Sequence, residues 1–600
     1  MCSEIVYKPV KQGRLSKLNV ALFASLIAGL IVIAVLALLI VYPDFFINKY
    51  VKNRITKEFR STYPGYSIKI SELHINLFKN SIEIGSAEIY SDDSTFSAGI
   101  GLSSLKSISW LQLLWNRSLF PDALASSVAE TQGIVIKLEK NLYEFRCERL
   151  IISQKDSEIS ATEIELHPLV NDELFFKESE FRKTRYRLDL SQLKLIGIDF
   201  DGLLKGKIYR TDFIKISGAS LDVIVNTDKP VKADTTDNKI ANEMLKSIKE
   251  KIRIDSLSIS DGYVKYIESY IDASKPGLAY ECHYGGLAIS VKDSELVAND
   301  FEIHPLVDDN QFFDECKFRR TRLSTIMPKL KVNGLDCRGL IRGDKYKARF
   351  IQLRDIEIDV LVNMYKPYER FPTKTLFPNE ILATIKEKIH LDSMRILNGQ
   401  VRYCESYSAN AKPAVIAIDK LEMLARGFSN DSKNGDTAVI QATALFMGTG
   451  KSEIMIHIPL STPNFALRYS GSLGVMNAVR LNPFLEIAEH YRVKSGDVQS
   501  LSYEIQVNDG HARGYVRGIY NNLKLALLDT RTGSEKGFMN KIRSFWANTF
   551  VINGETKVNK SDTPVLGKVR YSRNKDDTFI QYMWFAYRTG LADLLGIEIK

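Results

Sequence analysis

The chain has 600 residues, with 81 Lys+Arg against 72 Asp+Glu (net +9), 45% apolar and 26% charged. Those values describe a folded protein of about four domain-sized units and exclude wholesale disorder, collagen-like repeats and low-complexity classes. Six Cys without any Cys-x-x-Cys exclude a disulfide scaffold and argue against a zinc ribbon or thioredoxin-like site, while 27 Tyr and 29 Phe lean toward sheet.

The charge is concentrated at one place. Residues 1–17 carry net +3 and residues 44–60 another +3, which leaves only +3 for all the rest. That is too thin for a nucleic-acid footprint. Between the two basic stretches, Leu18 to Tyr42 carries no charge. Val20 to Val41 is 22 residues, roughly 33 Å as a helix, against a bilayer core of about 30 Å. A cleaved signal peptide would have a shorter apolar core ending in a small-residue site, so the reading is an uncleaved single-pass anchor. Four Lys/Arg precede it and five follow closely, so charge balance does not set its orientation. Phe46, Tyr50, Val51, Ile55 and Phe59 then recur at near-helical spacing among Lys and Arg. They fit a short amphipathic helix at the membrane surface, or a plain connecting helix.

Residues 43–149 form an N-terminal β region with this juxtamembrane helix. Alternation is visible in Ser67–Ile70 and Ile134–Leu138, and residues 104–115 read as an apolar helical turn.

An internal repeat follows at an offset of 137. His167-Pro168-Leu169-Val170 returns as His304-Pro305-Leu306-Val307, and Phe175-Phe176 as Phe312-Phe313. DVIVN at 222–226 returns as DVLVN at 359–363, and YVKYIESY at 263–270 as QVRYCESY at 400–407. The repeats span 150–286 and 287–423, and a period this long implies multi-strand blocks that stack in series. Within a unit the dominant period is two. Ile252, Ile254, Leu257 and Ile259 lead to Asp261-Gly262 and back through Val264, which predicts a hairpin with one apolar face. Ile389, Leu391, Met394, Ile396 and Val401 are the same positions in the second copy. These ten residues are the candidate groove lining. One short helix per unit is expected after the polar loops at 228–240 and 366–379. The repeated His-Pro reads as a strand ending at a turn rather than as a metal ligand.

Residues 424–600 form a C-terminal β region with two amphipathic helices. The first presents Phe538, Ile542, Phe545 and Thr549, and the second Phe579, Tyr582, Met583, Ala586, Gly590 and Leu594. Each is expected to cap an open sheet end, because an uncovered edge invites aggregation, with contact to a membrane as the alternative. MGTGKSE at 447–453 lacks the first Gly of a phosphate loop and reads as a hairpin turn. No other catalytic motif stands in a supporting context, so the expectation is a protein that is not an enzyme, with no catalytic residue, no metal and no cofactor.

An anchor, a basic surface segment and serial amphipathic strands closed by helices resemble the AsmA-like family of Gram-negative envelope proteins. The likeness rests on YPGYSIKISELHINLFKNSIEIGSAEI near the start, on KIRIDSLSISDGYVKYIE at 251–268 with its copy at 388–405, and on FIQYMWFAYRTGLADLLG near the end. It implies a mainly β fold: a transmembrane helix, then an elongated, curved antiparallel β-groove of repeated units, similar to bridge-like lipid transfer proteins. It implies a cytoplasmic tail at 1–17, an inner-membrane anchor and a periplasmic body. Its expected partners are phospholipids, the inner membrane and other envelope proteins, and its expected role is phospholipid transport toward the outer membrane or envelope maintenance. The competing expectation is a structural or assembly-assisting envelope protein whose apolar faces close on each other and hold no lipid.

Overall fold

The computed structural model describes residues 56–596 apart from 58, 62, 77–78, 110–125, 140–141, 178, 205–207, 228, 231–250, 270–275, 315, 343–344, 368–375, 432–435, 461–464, 529–565 and 576. The anchor (Val20, Val41), the juxtamembrane stretch up to Ile55 and the first C-terminal helix lie outside the described residues. No described helix is long and apolar enough to cross a membrane.

The protein is mainly β, with 26 described strands. They are β1 (Tyr66–Ile70), β2 (Leu73–Asn76), β3 (Ser81–Ile84), β4 (Ala87–Ser91), β5 (Phe96–Ile100), β6 (Ser103–Lys106), β7 (Val128–Leu138), β8 (Tyr143–Ser153), β9 (Glu158–Pro168), β10 (Thr184–Ile196), β11 (Tyr209–Asn226), β12 (Ile252–Ser269) and β13 (Pro276–Ser290). Then come β14 (Glu295–Pro305), β15 (Thr321–Asn333), β16 (Lys345–Arg354), β17 (Glu357–Asn363), β18 (Lys388–Ser406), β19 (Ala414–Ser429), β20 (Thr437–Phe446), β21 (Gly450–Pro459), β22 (Ala466–Leu473), β23 (Met476–Asn477), β24 (Tyr491–Asn508), β25 (His511–Leu527) and β26 (Leu566–Ser572). The described helices are α1 (Asp172–Lys177), α2 (Phe200–Leu204), α3 (Asp309–Asp314), α4 (Cys337–Arg342), α5 (Pro378–Thr384), α6 (Asn482–Phe484) and α7 (Phe579–Leu595). The described residues fall into two compact units that divide between Leu257 and Ser258, inside β12.

The first unit opens with a closed core. β1, β4 and β5 pair in series and join the far half of β7, while β2, β3 and β6 join its near half. Ile68, Leu73, Ile82, Ile89, Phe96 and Leu105 pack together between them. A single antiparallel layer, β7 to β11, follows.

The repeat is a repeat of structure. β9, α1, β10 and α2 recur at the 137 offset as β14, α3, β15 and α4. The 209–226 strand recurs as β16 and β17, and β12 as β18. Side-chain ties recur too. Arg185 Nε donates to Asp172 Oδ1 at 2.7 Å, and Arg322 Nε to Asp309 Oδ1 at 2.7 Å. Backbone N–H of Tyr186 reaches the Tyr143 hydroxyl at 2.9 Å, and that of Leu323 the Tyr280 hydroxyl at 3.1 Å. In each copy the Phe pair is buried edge-to-face under the short helix. Both His-Pro pairs end a strand, as read from the sequence.

Two local readings are corrected. Asp261-Gly262 makes no hairpin, because β12 runs straight through it, and β18 runs through Asn398-Gly399 with a register shift. Both Asp261 and Asn398 sit at φ 54°. Residues that would supply a tight turn instead supply a kink, because in β18 the ladder to β19 resumes on the far side, at Val401↔Ile418. Residues 104–106, the start of the stretch read as helical, belong to strand β6. MGTGKSE is the β20–β21 hairpin, turning at Met447 (φ 51°) and Gly448 (φ 76°).

The kinks form a line across the strands. In the first unit Gly133 (φ 66°), Glu163 (φ 46°) and Gly218 (φ 61°) lie on β7, β9 and β11. The ladders skip these positions and resume in the same register, Leu190↔Ala219 and then Gln192↔Ser217 around Gly218. In the second unit Asp300 does the same on β14, Asp355 lies just after β16, and at Asn398 on β18 and Lys420 on β19 the ladders shift register. Pro328 falls inside β15 on this line, between Met327↔Phe301 and Lys329↔Asn299, where no ladder donor is needed. At each kink the apolar positions change parity and so stay on one face. Ala161 and Ile164 flank Glu163, yet pack in one cluster with Cys147, Leu150, Leu190 and Leu193.

Candidate functional site: one apolar face, open and covered

In the second unit the apolar positions line up strand after strand. One row runs Ile289, Leu296, Val332, Ile351, Met394, Ala425, Ile440, Ile456, Tyr469, Ile505 as direct cross-strand partners. A parallel row runs Leu287, Ala298, Leu330, Leu353, Ile396, Met423, Ala442, Ile454, Gly471, Tyr503, Val516. The alternate positions are polar, including Glu281, His283, Glu302, His304, Arg395 and Arg402.

Over β13–β19 most large side chains of these rows stay half-buried (Ile289, Leu296, Leu330, Ile351, Met394 and Met423), while Val332 and Ile396 are buried. The face is neither core nor ordinary surface there. A second sheet packed on it would hide those side chains.

Of the candidate lining residues in the second copy, Met394 lies between Ile351 and Ala425, Ile396 between Leu353 and Met423, and Val401 between Ile358 and Ile418. Ile389 partners Tyr346, and Leu391 sits between Ala348 and Phe428. Only Ile396 is buried. Ile252, Ile254, Leu257, Ile259 and Val264 are half-buried on β12.

Further along, the same rows are covered. α7 lies on β25 and β26 with Tyr582 and Ala586 fully buried, and Ile505 and Val516 beneath it are 0% exposed. The face read from the sequence is the one it buries. Thr578 caps its start in a capping box with Gln581, and Gly596 ends it at φ 73°. Gly590 is required by contact, because a Cβ there would lie 2.5 Å from Val569 and 2.6 Å from Val516. Tyr469 and Tyr582 hydroxyls donate to the carbonyls of Met583 and Gly510 at 3.1 and 3.0 Å. Arg588 is bidentate to Glu489 at 2.8 and 2.9 Å.

A second tie reaches α7 from the open stretch. β16 and β17 run parallel to β18, so the chain between β17 and β18 is a crossover, and it holds α5. The Phe377 ring at the start of α5 is fully buried, 4.5 Å from Phe465 and 5.5 Å from Tyr582. The Arg573 guanidinium stacks 3.4 Å from its centre and is bidentate to Glu380 at 3.0 and 2.9 Å. These aromatic residues were legible only as apolar; nothing in the spacing joined positions 377, 465 and 573.

Burial pushes the phenols between α7 and the sheet upward: Tyr503 to about 12, and Tyr469, Tyr582 and Tyr587 in the same direction. Cys147, Cys282, Cys316, Cys337 and Cys404 are free thiols. A concavity of about 590 Å³ opens around Asp261, His283, Asp300 and His304. Among its groups His304 bonds to Ser324 at 2.8 Å and Tyr263 donates to Glu281 at 3.3 Å. No set of three metal-ligating side chains stands together among the described residues. Comparison with known proteins found no matching protein-family model and no matching curated protein.

Proposed function

We propose that this chain carries phospholipid acyl chains on the apolar face of its sheet, held at a membrane by the segment Val20 to Val41. One observation carries the reading: two apolar rows stay largely half-buried across consecutive strands, kept on one face by a line of kinks. An acyl chain laid along such rows gains about 0.8 kcal/mol per buried CH₂, while its headgroup remains in water. The resemblance to the AsmA-like family supports an inner-membrane anchor, a periplasmic body and movement of phospholipid toward the outer membrane. The reading assigns no catalytic step.

A structural or assembly role is the second reading. The closed core of β1–β7 and the α7-covered strands favour it for those regions, since neither leaves room on its apolar side.

The test is native mass spectrometry on the full chain, released from mild detergent. Bound phospholipid is expected, and its loss in the double variant Ile289→Asp/Met394→Asp with the circular dichroism spectrum unchanged. A folded chain that carries no phospholipid, and takes none from vesicles, returns the assignment to the structural role.

A further inference from the structure

The two apolar rows do not end where the open stretch ends. They continue in unbroken register from Met394 and Ile396 on β18 to Ile505 and Val516 on β24 and β25. Over that last part α7 fills them. Tyr587 stacks 5.1 Å from Tyr503, Gly590 sits against Val516 and Val569, and Leu594 lies over Gly518. The helix therefore occupies the positions that, on β13–β19, are left for another apolar body.

We propose that α7 is a built-in stand-in for cargo: lipid riding the rows stops at the helix, and passes only when the helix lifts. This rests on the lipid reading above. The ties that hold α7 suit a displaceable element. Its apolar stripe is exchangeable for acyl chain, because both bury the same row side chains. Its directional contacts include the Tyr469 and Tyr582 hydroxyls, the Arg588–Glu489 pair, Gln581 Nε2 to Met364 Sδ at 3.8 Å, and the backbone N–H groups of Lys568 and Arg570, which reach Asp593 and Thr589 at 2.7 and 3.1 Å. One tie also runs to the open stretch. Phe377 and Glu380 belong to the crossover that enters β18, and they hold Arg573 beside the start of α7. A change of packing on β17 and β18 reaches the helix through that segment.

The experiment uses the full chain in vesicles of phosphatidylethanolamine and phosphatidylglycerol doped with a phospholipid bearing an acyl-chain diazirine. After irradiation, labelled residues are mapped by mass spectrometry, and hydrogen exchange of β25 reports whether α7 has lifted. In the native chain, labels are expected on Ile351, Met394 and Met423 and at background on Tyr469, Tyr503 and Val516. Ala586→Glu, which drives a charge into the helix seat, is expected to raise labelling of the last three at least tenfold. Arg588→Ala, which removes one tie and leaves the apolar stripe, is expected to raise it two- to fivefold and guards against misfolding of the first variant. Labelling of Tyr503 or Val516 in the native chain at the level of Met394 overturns the proposal. So does confinement of label in both variants, whether the helix lifts without extending the path or never lifts. Absence of label everywhere sinks the lipid reading itself, which is a different result.

Discussion

Met394 and Ile505 stand in one row of the same sheet, a few strands apart, and their surroundings differ in one respect. Met394 is half-buried, and Ile505 is 0% exposed in the cluster that α7 closes. Pattern alone makes the two positions equal, since both are apolar residues on the apolar parity of a strand. What separates core from binding surface is the second layer. Amphipathic alternation specifies which face is apolar and leaves open what satisfies it.

The comparison breaks most sharply under a buried charge. Ile505→Asp is expected to cost more than about 4 kcal/mol, because an unpaired carboxylate cannot be hydrated beneath the helix. Met394→Asp is expected to stay within about 1 kcal/mol of the native chain stripped of lipid, since its neighbours already meet water. Urea denaturation of both variants decides it. Similar large losses at the two positions would make the whole face a core, and would favour the structural role.

Charge pairs give the next contrast. Glu380 and Arg573 are 10% and 8% exposed, whereas Lys388 and Asp431 on and beside the open stretch are 64% and 65% exposed. Glu380→Ala removes the bidentate carboxylate from a buried guanidinium, at a cost of about 3–5 kcal/mol. Lys388→Ala is expected to cost less than about 0.5 kcal/mol. Thermal unfolding at moderate salt separates them, and adding salt to 0.5 M (about a threefold shorter screening range than at 0.05 M) should move only the exposed pair.

The legible part of the molecule was the periodic part. The repeat, the strand runs, the buried face of α7 and the turn at 447–449 could be read because each leaves several residues at a fixed spacing. The kinks were misread at Asp261-Gly262 because Asp-Gly between apolar runs is also the signature of a hairpin. The parity switch was the clue: Ile252 and Ile254 are even, Leu257 and Ile259 odd, and Val264 even again. A hairpin does not require such a switch, and a kinked strand with one apolar face does. α1 and α3 escaped because six residues show no helical period. Their only local sign is a side-chain cap, Asn171 to Leu174 N–H at 3.0 Å and Asp308 to Gln311 N–H at 2.9 Å. The open-versus-covered distinction was not legible at all, since it depends on where a helix that begins some fifty residues past β25 comes to lie.

Alkaline pH offers a smaller effect confined to the covered side. The Tyr503 phenol is raised to about 12 by burial, against an ordinary value of 10.0. The unfolded chain ionises first, so the stability this residue contributes is intact below pH 10 and drains away as pH rises toward 12. At about 1.4 kcal/mol per pH unit, the loss is roughly 2–3 kcal/mol. Tyr503→Phe should flatten that part of the stability profile. An unchanged slope would mean that water already reaches the phenol, and that α7 covers the row less completely than its packing indicates.

The kinks give the smallest effect and the most direct view of how the open face is made. Positive φ lies inside β14, β18 and β19, and none occurs within β20, β21 or β22, the strands that lead toward the covered end. The covered strands are kinked as well, at Gly496 (φ 124°) on β24 and Asn522 (φ 53°) on β25, and the first unit has its own kinks at Glu163 and Gly218. A left-handed residue with a side chain is strained, so Glu163→Gly is expected to stabilise the first unit by about 0.5–1 kcal/mol with its apolar face unchanged. Gly218→Val is the converse. It places a β-branched residue at φ 61°, with its Cβ 2.5 Å from the Ser191 hydroxyl. A cost of about 1–3 kcal/mol follows if the kink is held, measured as a fall in the melting temperature. If instead the strand straightens to relieve the strain, residues beyond position 218 turn over by one face. Leu221, Val223 and Val225 would then leave the apolar face of the first unit, and lipid capacity would drop while the melting temperature scarcely moved. A variant that changes neither would show that the line of kinks is not what keeps the face apolar.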